Sequence, residues 1–254
     1  LMRLTFLGTG TSGGVPSLGC HCAVCESTDP HDKRLRTAAL LETQTTRILI
    51  DCGPDIRQQL MPFAFTPLDG VLLTHVHYDH VAGIDDLRPF CMFGSVHVFA
   101  DQQTVDQLHQ TMPYCFTEKL YPGVPRLDLT PVVPHQPLIV GDVEVLPFQV
   151  MHDKLPIFGY RFGSLAYITD MKTIDDAEYA YLEGIDTLVV NALRYEPQHH
   201  SHMTVDEAVA FAKRIGAHRT YFVHMNHDVG FHEEVNKRLP AGMQLAYEGL
   251  QLDV

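Results

Sequence analysis

The segment His75-Val76-His77-Tyr78-Asp79-His80 puts three imidazoles and one carboxylate into six positions, directly behind the apolar run 70–74. Imidazole and carboxylate donors in one place suit Zn²⁺, Mn²⁺ or Fe²⁺. A lone histidine is more often a hydrogen-bonded or surface residue; this density behind a buried run is different. If the strand continued, His75, His77 and Asp79 would share one face. If the chain turned into a helix instead, His80 would swing round to the same cavity. One ion could then take His75 and His77, and a second Asp79 and His80.

Two ions need more ligands, and three more donors stand at the ends of apolar runs. His152 follows 143–150, Asp170 follows 165–169, and His224 ends 219–224. Convergence on one rim would complete a dinuclear site. His75, His77, His152 and Asp170 would hold one ion. Asp79, His80, Asp170 and His224 would hold the other, with Asp170 bridging. Two divalent ions about 3.5–4 Å apart would hold a bridging water, bring its pKa towards ~7 and clamp substrate oxygens. The expected nucleophile is that hydroxide, with Asp79 accepting its hydrogen bond. No serine or cysteine attack is required.

A second cluster is made of thiols. Cys20, Cys22 and Cys25 lie too close together for a disulfide framework and, in a reducing compartment, read as a metal site. A tetrahedral structural zinc needs a fourth ligand. His21 lies inside the loop and would be strained to turn back. Cys52, Cys91 and Cys115 are scattered and read as packed thiols. GTGTSGG, residues 8–14, satisfies the G-x-G-x-x-G pattern, but Val15-Pro16 and Gly19 follow where a phosphate-binding helix would have to begin. A glycine turn leading to the cysteine loop is the better reading.

The elements that must position these residues are short. Strands are expected at 3–7, 38–43, Arg47–Ile50, 70–74, Val96–Ala100, 143–150, 165–169, 186–191 and 219–224. Helical spacing covers 104–112, 173–182, 204–215 and 233–239. In the third of these, Val205, Ala208, Val209, Ala212 and Ile215 share a face. Thr204 with Glu207 makes a capping box, and Gly216 is a stop. The order predicts layered α/β (α+β) structure in one domain over the 254 residues. The Pro-rich stretch 113–137 reads as a long connection, as a lid or an edge insertion, and the aromatic 114–121 within it either shapes a pocket or is plain edge insertion.

Composition narrows the partners. The 45% apolar content supports a sizeable core, and 16 histidines stand beside no tryptophan. A net charge of −13 argues against a broad nucleic-acid-binding face. No apolar run reaches the length of a membrane span and no secretory leader is legible, so a cytoplasmic protein without membrane contact is expected. A homodimer stays open.

The order T-H-x-H-x-D-H, a later His, a Thr-Asp and a near-terminal His resembles the metallo-β-lactamase superfamily over nearly the whole chain. Leu49-Ile50-Asp51-Cys52-Gly53 fits it too, and the resemblance implies that Asp51 orients a ligand histidine. The implied fold is a four-layer αββα sandwich with the site at the edge between two sheets. GTGTSGGVP is similar to the opening of the ribonuclease Z and phosphodiesterase branch. Nearer still are the cyclic-phosphate phosphodiesterases of bacterial phosphonate breakdown, which carry a similar C-x-C-x-x-C and a similar H-x-K-L, here His152-Asp153-Lys154-Leu155. In that group a histidine three residues past the last active-site ligand completes a structural zinc knot; here it is His227. The branch also implies a role for His202, in HHSHMT before the capped helix, as general acid or transition-state donor. His199 and His200 are nearby competitors with an ordinary reading as solvated loop residues. Lys154 could meet a substrate phosphate, though a surface lysine is the plainer reading.

The expected function is therefore metal-dependent hydrolysis of a small phosphodiester, such as a ribosyl cyclic phosphate, with two active-site ions (Zn or Mn) and one structural Zn. Transfer-RNA 3′-end processing is an alternative, but no basic Gly/Lys-rich arm is visible. Lactone or thioester hydrolysis on the same metals is another. A non-catalytic cofactor-biosynthesis protein is a third, and such relatives usually lose metal ligands that this chain keeps.

Overall fold

The computed structural model describes all 254 residues. Fourteen strands form two seven-stranded sheets. The first holds β1 (Arg3–Gly8), β2 (Ala38–Glu42), β3 (Arg47–Ile50), β4 (Gly70–Leu72), β5 (Val96–Ala100), β6 (Leu127–Pro131) and the late β14 (Gln251–Asp253), in the order β14-β1-β2-β3-β4-β5-β6. The second holds β7 (Leu138–Val140), β8 (Val143–His152), β9 (Leu155–Phe162), β10 (Leu165–Tyr167), β11 (Thr187–Asn191), β12 (Arg219–Val223) and β13 (Met243–Leu245), in the order β13-β12-β11-β10-β9-β8-β7. Both sheets mix parallel and antiparallel pairs. The helices are α1 (Ala23–Glu26), α2 (Ile56–Leu60), α3 (Tyr78–Val81), α4 (Gln102–Thr111), α5 (Val205–Ile215) and α6 (His232–Arg238).

Period-two alternation explains the layers. On β3, Ile48 and Ile50 enter the core between the sheets, while Leu49 faces the outer core. On β12, Tyr221 and Val223 face inward and Phe222 faces outward. Since both faces of each sheet are buried, each must be covered. Val105 and Leu108 of α4 with Ile56 of α2 cover the first sheet, and Val205, Ala208, Phe211 and Ala212 of α5 cover the second. This is the expected αββα arrangement. Each such buried aliphatic side chain contributes about 1.5–3 kcal/mol, so the two sheets form a rigid base for whatever lies at their common edge.

The strand ends matter most, and several expectations shift there. The run 70–74 is strand only to Leu72, because Thr74 N–H donates to Asp51 Oδ1 at 2.8 Å in place of a ladder partner. The run 143–150 extends to His152, paired across a hairpin with Leu155, so this ligand candidate ends the strand itself. Strand β9 went unread because apolar residues sit on both faces and no turn signal marks its start. The short edge strands β6, β7, β13 and β14 also lacked alternation long enough to read. The 173–182 helix is instead a 3₁₀ stretch, Asp176–Leu182, capped by Asp175. A strand, β6, lies inside the stretch expected to be only a connection. Helix α5 matches its signals: Thr204 and Glu207 form the capping box and Gly216 closes it at φ 76°. Such a cap stabilises the helix by about 1 kcal/mol.

Candidate metal centre

The HVHYDH segment does not continue as a strand. His75 and His77 lie on the loop after β4, while Asp79 and His80 are on α3. Two glycines permit this. A Cβ at Gly53 would collide with the Asp79 carbonyl, and one at Gly83 with the Gly53 carbonyl. In that close approach Cys52 N–H donates to His80 O at 2.8 Å and Gly83 N–H to Cys52 O at 2.9 Å. The helix turn is thereby clamped to the end of β3, and His80 is aimed at the same space as His75.

Strand ends supply the rest. Ligand-capable atoms of His75, His77, His152 and Asp170 all lie within 4.8 Å of one another, as do those of Asp79, His80, Asp170 and His224. Asp170 belongs to both sets. Its Oδ2 is 3.7 Å from His75 Nε2, while its Oδ1 is 3.4 Å from His80 Nε2 and 3.1 Å from His224 Nε2. Asp79 Oδ2 is 3.1 Å from His80 Nε2 and 3.3 Å from His224 Nε2. The backbone is strained in support: Asp170 and His224 have φ of 55° and 59°, and Asp51 has 61°. Left-handed non-glycine residues cluster where packing over-determines a functional geometry.

Partners behind the rings fix their tautomers. His152 Nδ1 donates to the carbonyls of Asp170 (2.7 Å) and Ser201 (2.9 Å), which leaves the Nε2 lone pair facing the cluster. His80 Nδ1 donates to Asp51 Oδ2 at 2.7 Å. Thr74 Oγ1 links Asp51 to His75 Nδ1, at 2.9 and 3.0 Å. The expected orienting role of Asp51 thus has its geometry. Thr74 and Ser201 were missed: Thr74 stood in the motif without an assigned role, and Ser201 acts through a carbonyl that no side-chain pattern reveals.

The charges ask for cations. With Nδ1 donating, His80 Nε2 is buried without a hydrogen-bond partner and points its lone pair at two carboxylates. That arrangement is repulsive unless a proton or a metal ion stands between them. Burial lowers the affinity of His80 for a proton, but Asp79, Asp170 and Asp51 together hold its pKa well above the ordinary value. Burial raises the carboxyl of Asp170, yet His224 and His80 hold it well below the usual range. Burial holds His75 well below the ordinary value and partial desolvation lowers His77, both in the direction of the neutral ring that ligates. These donors fit two divalent ions, one in each set.

His202 packs against the cluster and is itself buried. Its ring centroid is 4.7 Å from that of His152 and 4.8 Å from that of His224, and its Nδ1 is 3.9 Å from Asp170 Oδ2. Burial pushes its pKa down to about 3 despite the Asp170 charge, so the resting ring is a neutral donor. Lys154 and His200 are exposed, and His199 is partly buried. Tyr114 of the aromatic stretch donates to Asp85 at 2.9 Å.

The cysteine loop is separate. Cys20, Cys22, Cys25 and His227 bring their ligand-capable atoms within 4.8 Å of one another, with Cys25 Sγ 3.1 Å from His227 Nδ1. His21 turns out to solvent and pairs with Glu26. The backbone N–H of Cys25 lowers the Cys22 thiol, whereas burial and the neighbouring thiols push Cys25 up to about 11. A soft cation would lower both. Cys52, Cys91 and Cys115 are buried free thiols. The glycine turn bridges the two clusters: Met225, between His224 and His227, donates to Thr9 O (3.0 Å) and accepts from Thr11 N (2.9 Å). No phosphate-binding helix follows it.

Residues 46–225 match the family model described as "Beta-lactamase superfamily domain". The chain is 44% identical over 251 residues to a protein named octanoyltransferase from Porphyromonas gingivalis, covering 98% of this chain and 51% of that protein. It is 33% identical over 174 residues to ribonuclease Z of Bradyrhizobium sp., covering 65% of this chain and 51% of that one. The chain thus spans about half the length of these curated relatives. Among solved structures, a diphosphatase of the PhnP family superposes with a TM-score of 0.92 at 39% identity, covering 100% of this chain and 98% of that one. Zn²⁺-bound PqqB from Methylobacterium extorquens superposes at 0.80 and 20% identity, covering 99% and 100%, a likeness of fold alone. No helix is long and apolar enough to cross a membrane.

Proposed function

Because the chain belongs to the β-lactamase superfamily, we propose that it is a metal-dependent hydrolase that cleaves a small phosphodiester at the two clusters joined by Asp170. The observation that carries this reading is Asp170 itself: one buried carboxylate offers one oxygen to each of two four-residue sets. Two divalent ions held there would supply Lewis acidity and water of lowered pKa.

The chain's own residues do the remaining work. His75, His77 and His152 present ring nitrogens on one side; Asp79, His80 and His224 complete the other. Asp79, with its carboxyl held low by His80 and His224 against the effect of burial, stays ionised and can accept a proton-bearing partner in the cleft. His202 is a neutral donor in the resting site. An incoming phosphodiester adds negative charge beside it and raises its affinity for a second proton, taken from solvent; the imidazolium so formed gives that proton to the departing oxygen and returns to the neutral ring. Burial of the cluster keeps these interactions in a low-dielectric setting. The whole-length likeness to a PhnP-family diphosphatase supports hydrolysis at a phosphoryl group.

Metal analysis together with bis(p-nitrophenyl) phosphate turnover tests the proposal. The expected result is two active-site equivalents beyond the knot zinc, with turnover that chelation abolishes and added Zn²⁺ or Mn²⁺ restores. Protein that binds only one equivalent and turns over nothing overturns it. A second reading is thioester hydrolysis on the same residues; because the chain matches half of a protein named octanoyltransferase, an octanoyl thioester is the comparison substrate in the same assay, and its turnover in place of the diester favours that reading.

A further inference from the structure

A cavity of about 570 Å³ lies on the outer side of the first sheet, between α2, the turn 61–65 that follows it and the 3₁₀ stretch Ile84–Met92. Its size is that of a small-molecule site. None of its lining residues belongs to a metal set or to the cysteine loop. Ile56 and Leu87, both fully buried, form its floor, and Leu60, Phe63, Phe65 and Phe90 form its walls. Phe65 remains 50% exposed, although its ring stands 4.9 Å from that of Phe90 and 5.2 Å from that of Phe93. None of the floor and wall side chains carries a hydrogen-bonding group, so the body of an occupant must be apolar.

The rim is cationic. Arg47, Arg57 and Arg88 line it against one carboxylate, Asp86, in a chain whose net charge is −13. Two of these arginines are engaged. Arg47 Nε pairs with Glu42 at 2.8 Å, and its Nη1 donates to the carbonyls of Ala64 and Thr66 at 3.1 and 3.2 Å, which ties the wall segment to β3. Arg88 pairs with Asp85. Arg57 is exposed, and its guanidinium, alone among the chain's arginines, has no ion pair, hydrogen bond or cation–π partner. A guanidinium fork matches the two oxygens of a carboxylate, and an apolar wall on one side strengthens that pairing. A second copy of the chain seated on this face would bring the same arginines with it, setting like charges together.

We propose that this cavity binds a fatty carboxylate. The aliphatic chain lies on Ile56 and Leu87 among the phenylalanines, and the head group meets Arg57 at the rim. The site is separate from the Asp170 cluster and does not depend on what is hydrolysed there.

The test titrates decanoate and decyltrimethylammonium into the metal-loaded protein by calorimetry. Decanoate is expected to saturate one site and to bind about tenfold more tightly than the cation. Arg57→Glu should weaken decanoate by about the same factor and erase the preference, whereas Phe65→Ser should weaken both ligands alike. Both positions are exposed or half-exposed, so the variants should keep the wild-type melting temperature. Methyl resonances place the ligand: shifts at Ile56 and Met61 support the cavity, and perturbation confined to the imidazoles of the metal sets shows the carboxylate at the metals and overturns it. Absence of saturable binding, equal affinity for the cation, or an unchanged affinity in Arg57→Glu also overturns it. So does a wild-type dimer, seen by sedimentation, that Phe65→Ser dissociates, because a second copy would then cover the cavity.

Discussion

The Asp170 cluster and the cysteine loop are both candidate cation sites, and they are built in opposite ways. The first is buried at all its members but His77, is drawn from the ends of four chain segments, and shares one carboxylate between two donor sets. Its rings are braced by Asp51, Thr74 and Ser201. The second takes three thiols from six consecutive positions and one distant imidazole, with Cys22 exposed. A four-donor thiol-rich set leaves no position for a substrate and suits a structural ion, whereas an imidazole–carboxylate set with a donor such as His202 beside it suits chemistry. The lesson is that donor type and bracing, more than donor count, separate a site that works from one that holds.

The sharpest way to break the contrast is at the shared carboxylate. Asp170→Asn should release both active-site ions and drop turnover to that of metal-free protein, while the knot zinc remains; metal analysis read beside turnover checks this. Next comes His202→Ala, expected to slow diester hydrolysis by about 10²–10⁴-fold with unchanged metal content. Loss of metal in that variant would move His202 among the ligands. Asp51→Asn removes the brace behind His80 and should weaken active-site metal affinity by about 10–100-fold, as seen in competition with a chelating dye. Cys25→Ser should cost the knot zinc and lower thermal stability while both active-site ions stay bound. If it emptied both centres together, the two regions would be one cooperative unit.

The smallest effect concerns the seam between them. Arg34 donates to Thr9 Oγ1 at 2.8 Å and to His232 Nδ1 at 3.2 Å, beneath the glycine turn that holds Met225. Burial, then the Arg34 charge, pushes His232 from 6.5 down to about 4. Between those values the unfolded chain binds a proton that the folded chain refuses, so stability present above the upper value is lost as pH falls through this window. The loss is on the order of 2 kcal/mol, and His232→Asn should flatten it in denaturant titrations across the same range.

Much of the site was legible because its donors announce themselves locally. HVHYDH is dense, and His152, Asp170 and His224 each close an apolar run. Layered α and β structure followed from the order of the runs, and the αββα arrangement from the resemblance alone. What could not be read was local conformation that depends on distant partners. The turn from β4 into α3 requires Gly53 and Gly83 to let backbones touch, and β4 stops at Leu72 because Asp51 takes the Thr74 amide. The 3₁₀ form of Asp176–Leu182 and the pairing of β9 were likewise outcomes of packing.

The sequence by itself determined which atoms can ligate, which thiols cluster and which helix is capped, since these are properties of side-chain chemistry and near-neighbour spacing. Asp170 as a bridge was a sequence expectation and His227 as the fourth knot donor was implied by the resemblance; only the tertiary structure supplied the distances that bring those atoms together. Residues far apart in the chain meet only where two sheets, closed on a common core, bring their strand ends to one edge. No local pattern encodes those distances.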